Sequence, residues 1–183
     1  GGVRDAVSLA YPVDETPGSF AGMLADILSS QPFSGAAACS VSGRRRDTLF
    51  AVLGDAFPGR VLCAVSAADI GMTVRYDNPS SYGIDRALAA SAAYRRFGDS
   101  CVVVDAGTAV TVDAVDRNGA VAGGYIYPGV PVLAHALSGR TDLPDIAAAG
   151  FSGITGLGSS TASCIALGLL MGTAGAVEQL VRF

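Results

Sequence analysis

Asp105-Ala-Gly-Thr-Ala-Val-Thr-Val-Asp113 is the stretch that decides the fold of this chain, because it joins two strands through a tight turn. It follows the apolar run Cys101-Val-Val-Val, which is typical of a buried strand, and continues with apolar and polar residues that alternate at period two. Gly107 allows backbone N–H groups to approach an anion closely. The carboxylate of Asp105 precedes it, and the hydroxyls of Thr108 and Thr111 follow it. The stretch therefore predicts a hairpin that could hold nucleotide phosphates and their counter-ion.

Other interpretations of this hairpin stay open from the residues alone. Asp and Gly suit any tight turn, so the same letters are compatible with plain turn chemistry. Methyl-donor and dinucleotide loops also contain Asp-x-Gly, but those loops pass into a helix, whereas a strand pattern follows here. A P-loop is excluded because the chain contains no lysine.

The composition is that of a folded globular protein. The 183 residues suit one large domain or two small ones, and 50% of them are hydrophobic while only 15% are charged. The net charge of −4 argues against a general nucleic-acid binder, and the basic run 44–46 is more typical of a solvated loop. We therefore expect a sizeable core and no nucleic-acid partner.

The cysteines indicate a reducing compartment. The four cysteines are far apart, form no C-x-x-C pair and each lie in an apolar run, so buried free thiols are expected. With a single histidine in the chain, a His/Cys metal site is not expected. The first residues do not resemble a signal peptide, and a cytoplasmic location fits best.

The order of predicted elements indicates an α/β fold. A βαβα rhythm precedes residue 100, and a β-meander with Asn118-Gly119 as one turn follows it, so a boundary near Ser100 is plausible. The predicted helix that begins near Ser19 has this residue as a candidate N-cap. The predicted strands are 7–10, 36–41, 61–65, 101–104, 110–115 and 121–127, and the predicted helices are 19–29, 46–56, 87–97, 132–138 and 161–181.

The last predicted helix has an unusual composition. Residues 162–177 carry no charge and are rich in glycine and alanine, but the stretch is too short for a comfortable membrane span. We expect a helix packed closely on both sides, either in the core or against a second subunit, and no membrane partner.

Gly83-Ile-Asp85-Arg86 is the second group of candidate functional residues. Arg86 could bind a carboxylate or phosphate, and Asp85 could accept a proton from a substrate hydroxyl. The alternative is a helix-capping aspartate beside a surface arginine. Because one helix separates Asp85 from Asp105, the two segments could meet at one edge of the sheet, which is the arrangement of a phosphoryl transferase.

Five segments of the chain, in order, resemble the type III pantothenate kinases, also described as Bvg accessory factor proteins. A sixth, Ser160-Thr161, is similar to the family's Asn-Thr helix start with serine in place of asparagine. The five segments are Tyr76-x-Asn78-Pro79, Gly83-x-Asp85-Arg86, Asp105-x-Gly107-Thr108-Ala109-x-Thr111-x-Asp113, Gly123-Gly124-x-Ile126-x-Pro128-Gly129 and Thr141-x-Leu143-Pro144.

The resemblance implies a fold and an activity. The fold would be actin-like, of the acetate kinase, sugar kinase and Hsp70 type, with two ribonuclease H-like lobes. Residues 1–99 would form the first lobe, without its opening strands, and residues 100–183 the second, with a dimerisation helix. The activity would be ATP-dependent phosphorylation of pantothenate to 4′-phosphopantothenate, the first step of coenzyme A biosynthesis, in a homodimer.

The resemblance also implies residue roles. Asp85 would be the general base, and Asp105 would help bind a monovalent cation, K⁺ or NH₄⁺, with Mg²⁺ accompanying the ATP. Thr161 would reach the substrate pocket of the neighbouring subunit. The pantothenate pocket would further contain Tyr76, Gly83, Ile84, Arg86 and Thr141, and ATP phosphate would contact Gly107, Thr108 and Thr111.

The chain departs from the family pattern at both ends. The opening Asp-x-Gly-Asn-Thr phosphate loop is not found in it, nor is the Thr-Gly-Gly turn near the adenosine. Three explanations are a fragment of a normal enzyme, ends left out of the sequence, and a degenerate homologue that binds ligand without turnover. The alternative functions are therefore an inactive relative that binds pantothenate-like ligands or acts as a regulatory accessory factor, and another sugar or acid kinase of the same fold.

Overall fold

The computed structural model describes residues 17–29, 33–146 and 156–182 and shows a mixed α/β protein. Its helices and strands alternate up to residue 97, and a β-meander and two helices follow. The elements in chain order are α1 (Pro17–Ser29), β1 (Ala36–Cys39), α2 (Gly43–Ala56), β2 (Val61–Ala64), α3 (Ile84–Phe97), β3 (Cys101–Ala106), β4 (Ala109–Val115), β5 (Val121–Pro128), α4 (Val130–Ser138) and α5 (Thr161–Val181).

Most predicted elements are confirmed, with shifted ends. Helix α1 begins at Pro17, so Ser19 lies inside its first turn and the prediction that Ser19 is the N-cap is wrong. Helix α3 begins three residues earlier than predicted, which places Asp85 and Arg86 inside the helix. The predicted strand 7–10 lies outside the described residues.

The strands form two separate sheets. Strands β1 and β2 pair in parallel, as a crossover through α2 requires. Strands β3, β4 and β5 form the predicted antiparallel meander, in which Gly119 has the positive φ of 79° that its turn needs. The segment before Tyr76 runs beside β5 through a parallel bridge between Val74 and Val121. This bridge brings the Tyr76 loop next to the meander.

The two faces of the meander are covered by different helices. Small residues of α3, Ala87 and Ala90, pack in a buried cluster with Val115 and Val121 on one face. The C-terminal end of α5 lies against the other face, where Leu180 lines a cleft with Val102, Val112 and others. The β4 side chains Asp113 and Val115 are therefore buried on the face that α3 covers.

Helix α5 begins and ends at the predicted residues, and the described residues argue against the first of its two predicted surroundings, the core of this chain. Its described residues are mostly exposed or half-buried, with only Ile165 and Ala166 buried, so the described part of the chain does not pack it on both sides. Ser160 caps it by accepting a hydrogen bond from the Ser163 backbone N–H at 3.1 Å. Among the described helices it alone is long and apolar enough to cross a membrane, which is weak evidence because core helices of soluble proteins and signal sequences meet the same criterion.

The 3₁₀ turn Ala67–Ile70 depends on one exposed carboxylate. Asp69 Oδ2 accepts hydrogen bonds from the backbone N–H groups of Val65, at 2.8 Å, and Ser66, at 2.9 Å. These bonds, that of Val65 first, hold the pKa of Asp69 below its usual value. The carboxylate form is therefore the one that stabilises this turn.

The effect of Asp69 on stability should depend on pH. Because the folded pKa is lowered, the stabilisation is present above the unfolded pKa of about 3.9 and is lost as the pH falls through the folded pKa. We expect Asp69→Asn to lower the melting temperature at pH 7, and the difference from wild type to shrink toward zero at the acid end. Thermal melts across pH would check this, with Asp55→Asn at an exposed site as control. A difference that does not change with pH would contradict it.

Candidate active site

The start of α3 presents Asp85 to solvent. Gly83 is the N-cap residue, and a Cβ atom placed on it would lie 2.5 Å from Asp85 Oδ1, so a side chain at this position would displace the Asp85 carboxylate from its present place. Asp85 Oδ1 accepts a hydrogen bond from the backbone N–H of Arg86 at 2.8 Å. This contact fits the capping interpretation, and the exposure of the side chain leaves the carboxylate accessible to a ligand.

The Arg86 side chain is held by residues from two other segments. Its Nε donates to Asp113 Oδ2 at 3.0 Å, and its Nη2 donates to Asp113 Oδ1 at 2.6 Å. The same Nη2 donates to the Tyr76 hydroxyl at 3.0 Å. The Asp113 side chain is 2% exposed and that of Arg86 is 10% exposed, so this two-bond ion pair is withdrawn from water.

Two tyrosine rings complete the surroundings of Arg86. The guanidinium carbon lies 4.6 Å from the centroid of the Tyr82 ring, and Tyr82 meets Tyr76 edge to face at 5.2 Å. The buried Tyr82 hydroxyl makes no hydrogen bond of normal geometry, although Asp113 is near enough to act on it electrostatically. Arg86, Asp113, Tyr76 and Tyr82 are called the arginine cluster below.

The surroundings of the arginine cluster raise the pKa values of Tyr82 and Arg86. Burial raises the pKa of Tyr82 well above its usual value, and the negative charge of Asp113 raises it further. Burial alone would lower the pKa of Arg86, but its hydrogen bonds to Asp113 and the charge of that carboxylate outweigh burial and raise it. Both shifts favour a cationic Arg86 and a neutral Tyr82 phenol near neutral pH.

The β3–β4 hairpin brings the predicted phosphate and cation residues together. Asp105 and Thr111 are paired across the two strands, and Gly107 and Thr108 form the exposed turn. The backbone N–H of Gly129, the N-cap residue of α4, donates to the Thr108 carbonyl at 2.9 Å. The N-terminus of α4 therefore lies beside the hairpin turn, where its N–H groups favour negative charge.

The hairpin and the arginine cluster share one face of the meander. Thr111 and Asp113 are two residues apart on β4, so their side chains point to the same face, about 7 Å apart along the strand. Asp105 lies opposite Thr111 and therefore also belongs to this face. The sequence predicts that the two segments meet at one sheet edge, and the pairing of Arg86 with Asp113 brings the start of α3 next to the hairpin.

An open cleft adjoins the arginine cluster. It has a volume of about 500 Å³ and is lined mainly by polar residues. Tyr76 and Gly124 belong both to this lining and to the surroundings of Arg86, since a Cβ atom on Gly124 would lie 3.1 Å from Arg86 Nη2. The remaining lining residues are Arg75, Asp77, Asn78, Ser81, Ala122 and Gly123.

Three predicted substrate residues have other surroundings. Ile84 is 2% exposed and belongs to the core, so its side chain is not available to a ligand. The Thr141 hydroxyl donates to the Leu137 carbonyl at 2.8 Å and so completes the end of α4. Thr161 is exposed in the first turn of α5. No contact described within residues 33–146 and 156–182 joins Thr141 or Thr161 to Arg86.

Asp113 and Tyr82 belong to the site in the structure but have no site role that follows from the motifs. The sequence does contain a feature that points to Asp113. It is a charged residue within the apolar pattern of a strand, and a charged residue that is buried needs a partner. Tyr82 has no such feature, because it is one of several polar and aromatic residues in a loop.

Comparison with known proteins assigns the family. The sequence model described as type III pantothenate kinase matches residues 4–182, which is nearly the whole chain. This chain belongs to the type III pantothenate kinase family. The resemblance found in the motifs is thereby confirmed.

Individual relatives agree with the family assignment. The type III pantothenate kinase of Desulfatibacillum aliphaticivorans is 40% identical over 115 residues, which cover 62% of this chain and 44% of that protein. That of Chlorobium luteolum is 32% identical over 181 residues, which cover 97% of this chain and 66% of that protein. The chain thus spans between about two fifths and two thirds of the length of these relatives.

A solved structure shows similarity of fold. A crystal structure of a conserved Baf family protein from Campylobacter jejuni superposes with a TM-score of 0.55 at 19% sequence identity. The match covers 85% of this chain and 68% of that chain. At this identity the comparison concerns the fold alone.

Proposed function

We propose that the type III pantothenate kinase containing this chain transfers the γ-phosphoryl group of ATP to the 4′-hydroxyl of pantothenate. The product would be 4′-phosphopantothenate, and the reaction the first step of coenzyme A biosynthesis in the cytoplasm. One observation carries the proposal beyond family membership. The ion pair between Arg86 and Asp113 places the neighbouring Asp85 close to β4 of the β3–β4 hairpin, which is the proposed phosphate site.

Asp85 is the proposed general base. The hydroxyl oxygen of pantothenate would attack the γ-phosphorus, its proton would pass to the Asp85 carboxylate, and ADP would leave. The carboxylate is exposed and has one described hydrogen bond, so it can approach a substrate hydroxyl without first losing a buried partner.

The residues around Asp85 are proposed to bind pantothenate. Arg86 and Tyr76 would offer polar groups beside the cleft, and Gly83 and Ile84 would contribute backbone groups. Thr141 is proposed to contact the same substrate, and Thr161 to reach the pocket of a partner subunit. The exposed apolar surface of α5 supports the proposed homodimer, because such a surface is usually covered by a partner.

The hairpin is proposed to bind the ATP phosphates. Gly107, Thr108 and Thr111 would contact phosphate oxygens, helped by the N-terminus of α4. Mg²⁺ is usually held by one or two carboxylates together with substrate phosphates, which fits a site with few protein ligands. Asp105, exposed and opposite Thr111, is proposed to bind the monovalent cation.

The fold is proposed to be actin-like with two ribonuclease H-like lobes, residues 1–99 and 100–183. Two observations support this proposal. The meander has helices on both faces, and the strands of the two proposed lobes form separate sheets, β1–β2 and β3–β5. In such a fold the ligands bind between lobes, which agrees with a cleft beside the arginine cluster.

Asp105→Asn should weaken the response to potassium. Removing the negative charge would reduce the attraction of the site for a monovalent cation, so we expect the concentration of K⁺ for half-maximal activity to rise about tenfold, while activity at saturating K⁺ is largely kept. A potassium titration of the ADP formation rate would measure this, with NH₄⁺ as a second cation. An unchanged potassium response would contradict the assignment of Asp105.

The test of the proposed function is pantothenate-dependent ADP formation with Mg²⁺ and K⁺ present. Turnover that depends on pantothenate would support the kinase proposal. Binding of pantothenate by calorimetry without turnover would support the alternative of a ligand-binding accessory factor. Turnover with a different small acid or sugar would move the assignment to another kinase of the same fold.

A further inference from the structure

Asp113 is the one charged residue that is fully buried in the described part of the chain, with 1% of its surface exposed. A buried carboxylate is costly unless hydrogen bonds and an opposite charge compensate it. Arg86 supplies both through two N–H donors. The pair lies at the proposed substrate site, on β4 and α3, so it also determines where the guanidinium can be.

The donors of Arg86 can be counted. A guanidinium has five N–H groups, and three of them are used: one on Nε and one on Nη2 by Asp113, and the second on Nη2 by the Tyr76 hydroxyl. The two N–H groups on Nη1 have no partner within the described residues. One edge of the guanidinium is therefore occupied, and the donors left over are those on Nη1.

Rotation of this group is restricted. The Tyr82 ring lies 4.6 Å from the guanidinium carbon and covers one face, while the bidentate contact with Asp113 fixes the edge. Gly124 lies on the next strand, opposite Asp113, and a Cβ atom there would be 2.8 Å from Asp113 Oδ1. The glycine therefore permits the close approach of Arg86 and Asp113.

We propose that Asp113 is a positioning residue that holds Arg86 through Nε and Nη2, so that only Nη1 is presented to an oxygen acceptor of the substrate. Naming pantothenate as that substrate rests on the proposed function, whereas the restraint on Arg86 does not. This arrangement would affect specificity. A ligand oxygen would accept a hydrogen bond from Nη1 alone, and would not form the two-bond contact that a free guanidinium makes with a carboxylate.

The first experiment observes Arg86 directly by NMR of arginine Nε–Hε groups in the protein. The Arg86 signal is assigned by its loss in Arg86→Lys. In wild type it should exchange with water at least tenfold more slowly than the Hε groups of exposed arginines. Exchange at the rate of exposed arginines in wild type would overturn the proposal without any variant at position 113.

The second experiment measures pantothenate affinity by calorimetry in Asp113→Asn and Asp47→Asn. Asp113→Asn keeps the shape but loses one acceptor and the charge, so Arg86 Hε should lose protection and pantothenate affinity should fall tenfold or more, while ATP affinity is unchanged. Asp47→Asn is the matched control, since it makes the same change in an exposed carboxylate that accepts from Arg46 Nε at 3.2 Å, and it should leave both readouts as in wild type.

The outcomes separate this proposal from the proposed function. Unchanged pantothenate affinity in a folded Asp113→Asn variant, or retained Hε protection, would overturn the positioning role. Absence of pantothenate binding in wild type, together with Hε protection that is lost in Asp113→Asn, would reject the substrate and support the restraint on Arg86.

Discussion

Asp85→Asn should lower pantothenate-dependent turnover by about 10²- to 10⁴-fold, the usual contribution of a general base. The amide cannot accept the hydroxyl proton, but its oxygen can still accept the one described hydrogen bond, from the Arg86 backbone N–H. The fold and the arginine cluster should therefore persist. We expect kcat to fall with little change in the KM for pantothenate, because an isosteric side chain keeps the shape of the site.

A matched control for Asp85 lies at the other end of α3. Asp99 is also exposed, and its Oδ1 also accepts a hydrogen bond from the next backbone N–H, that of Ser100, at 2.6 Å. Asp99→Asn therefore makes the same chemical change in an aspartate with the same kind of hydrogen bond, away from the proposed site, and should leave turnover unchanged. Turnover within a factor of about three of wild type in Asp85→Asn would reject the role of Asp85 as base.

Arg86→Met should lower the free energy of unfolding by about 3 kcal/mol. Removing one partner of a buried ion pair leaves the other charge uncompensated, which typically costs about 3–5 kcal/mol. We expect the lower end of that range because the Arg86 side chain keeps a tenth of its surface exposed. Urea unfolding followed by circular dichroism would measure the change, through the midpoint at constant slope.

The double variant Arg86→Met/Asp113→Leu tests the reason for this loss. If the buried, unpaired carboxylate is the cause, replacing it as well should recover most of the lost stability. Arg75→Met is the control, because Arg75 pairs with Asp116 at the surface and its side chain is 58% exposed, so a much smaller change is expected. A double variant no more stable than Arg86→Met would contradict this explanation.

The hairpin and the helices could be predicted because their signals are local. Period-two alternation from Val110 to Val115 and the Asn118-Gly119 turn identified the meander, and both are observed. Helix ends were less accurate. The early start of α3 was missed because glycine at the N-cap, Gly83, forms no side-chain capping bond that would mark it.

The candidate site could be predicted only in part. The motifs identified Asp85, Arg86 and the Asp105–Thr111 hairpin, and the structure brings Arg86 next to that hairpin through Asp113. The buried side chain of Ile84 and the capping contact of Thr141 could not be read from their motifs, because burial and end-of-helix hydrogen bonds depend on packing.

The sequence by itself determined the elements, the tight turn at Gly107 and the family, because periodicity, turn chemistry and motif order are properties of neighbouring residues. Only the tertiary structure decided that Arg86 pairs with Asp113, 27 residues away, beneath the ring of Tyr82. The physical reason is desolvation. Packing α3 on the meander removes Asp113 from water, and only the arginine that the packing places beside it can compensate that charge.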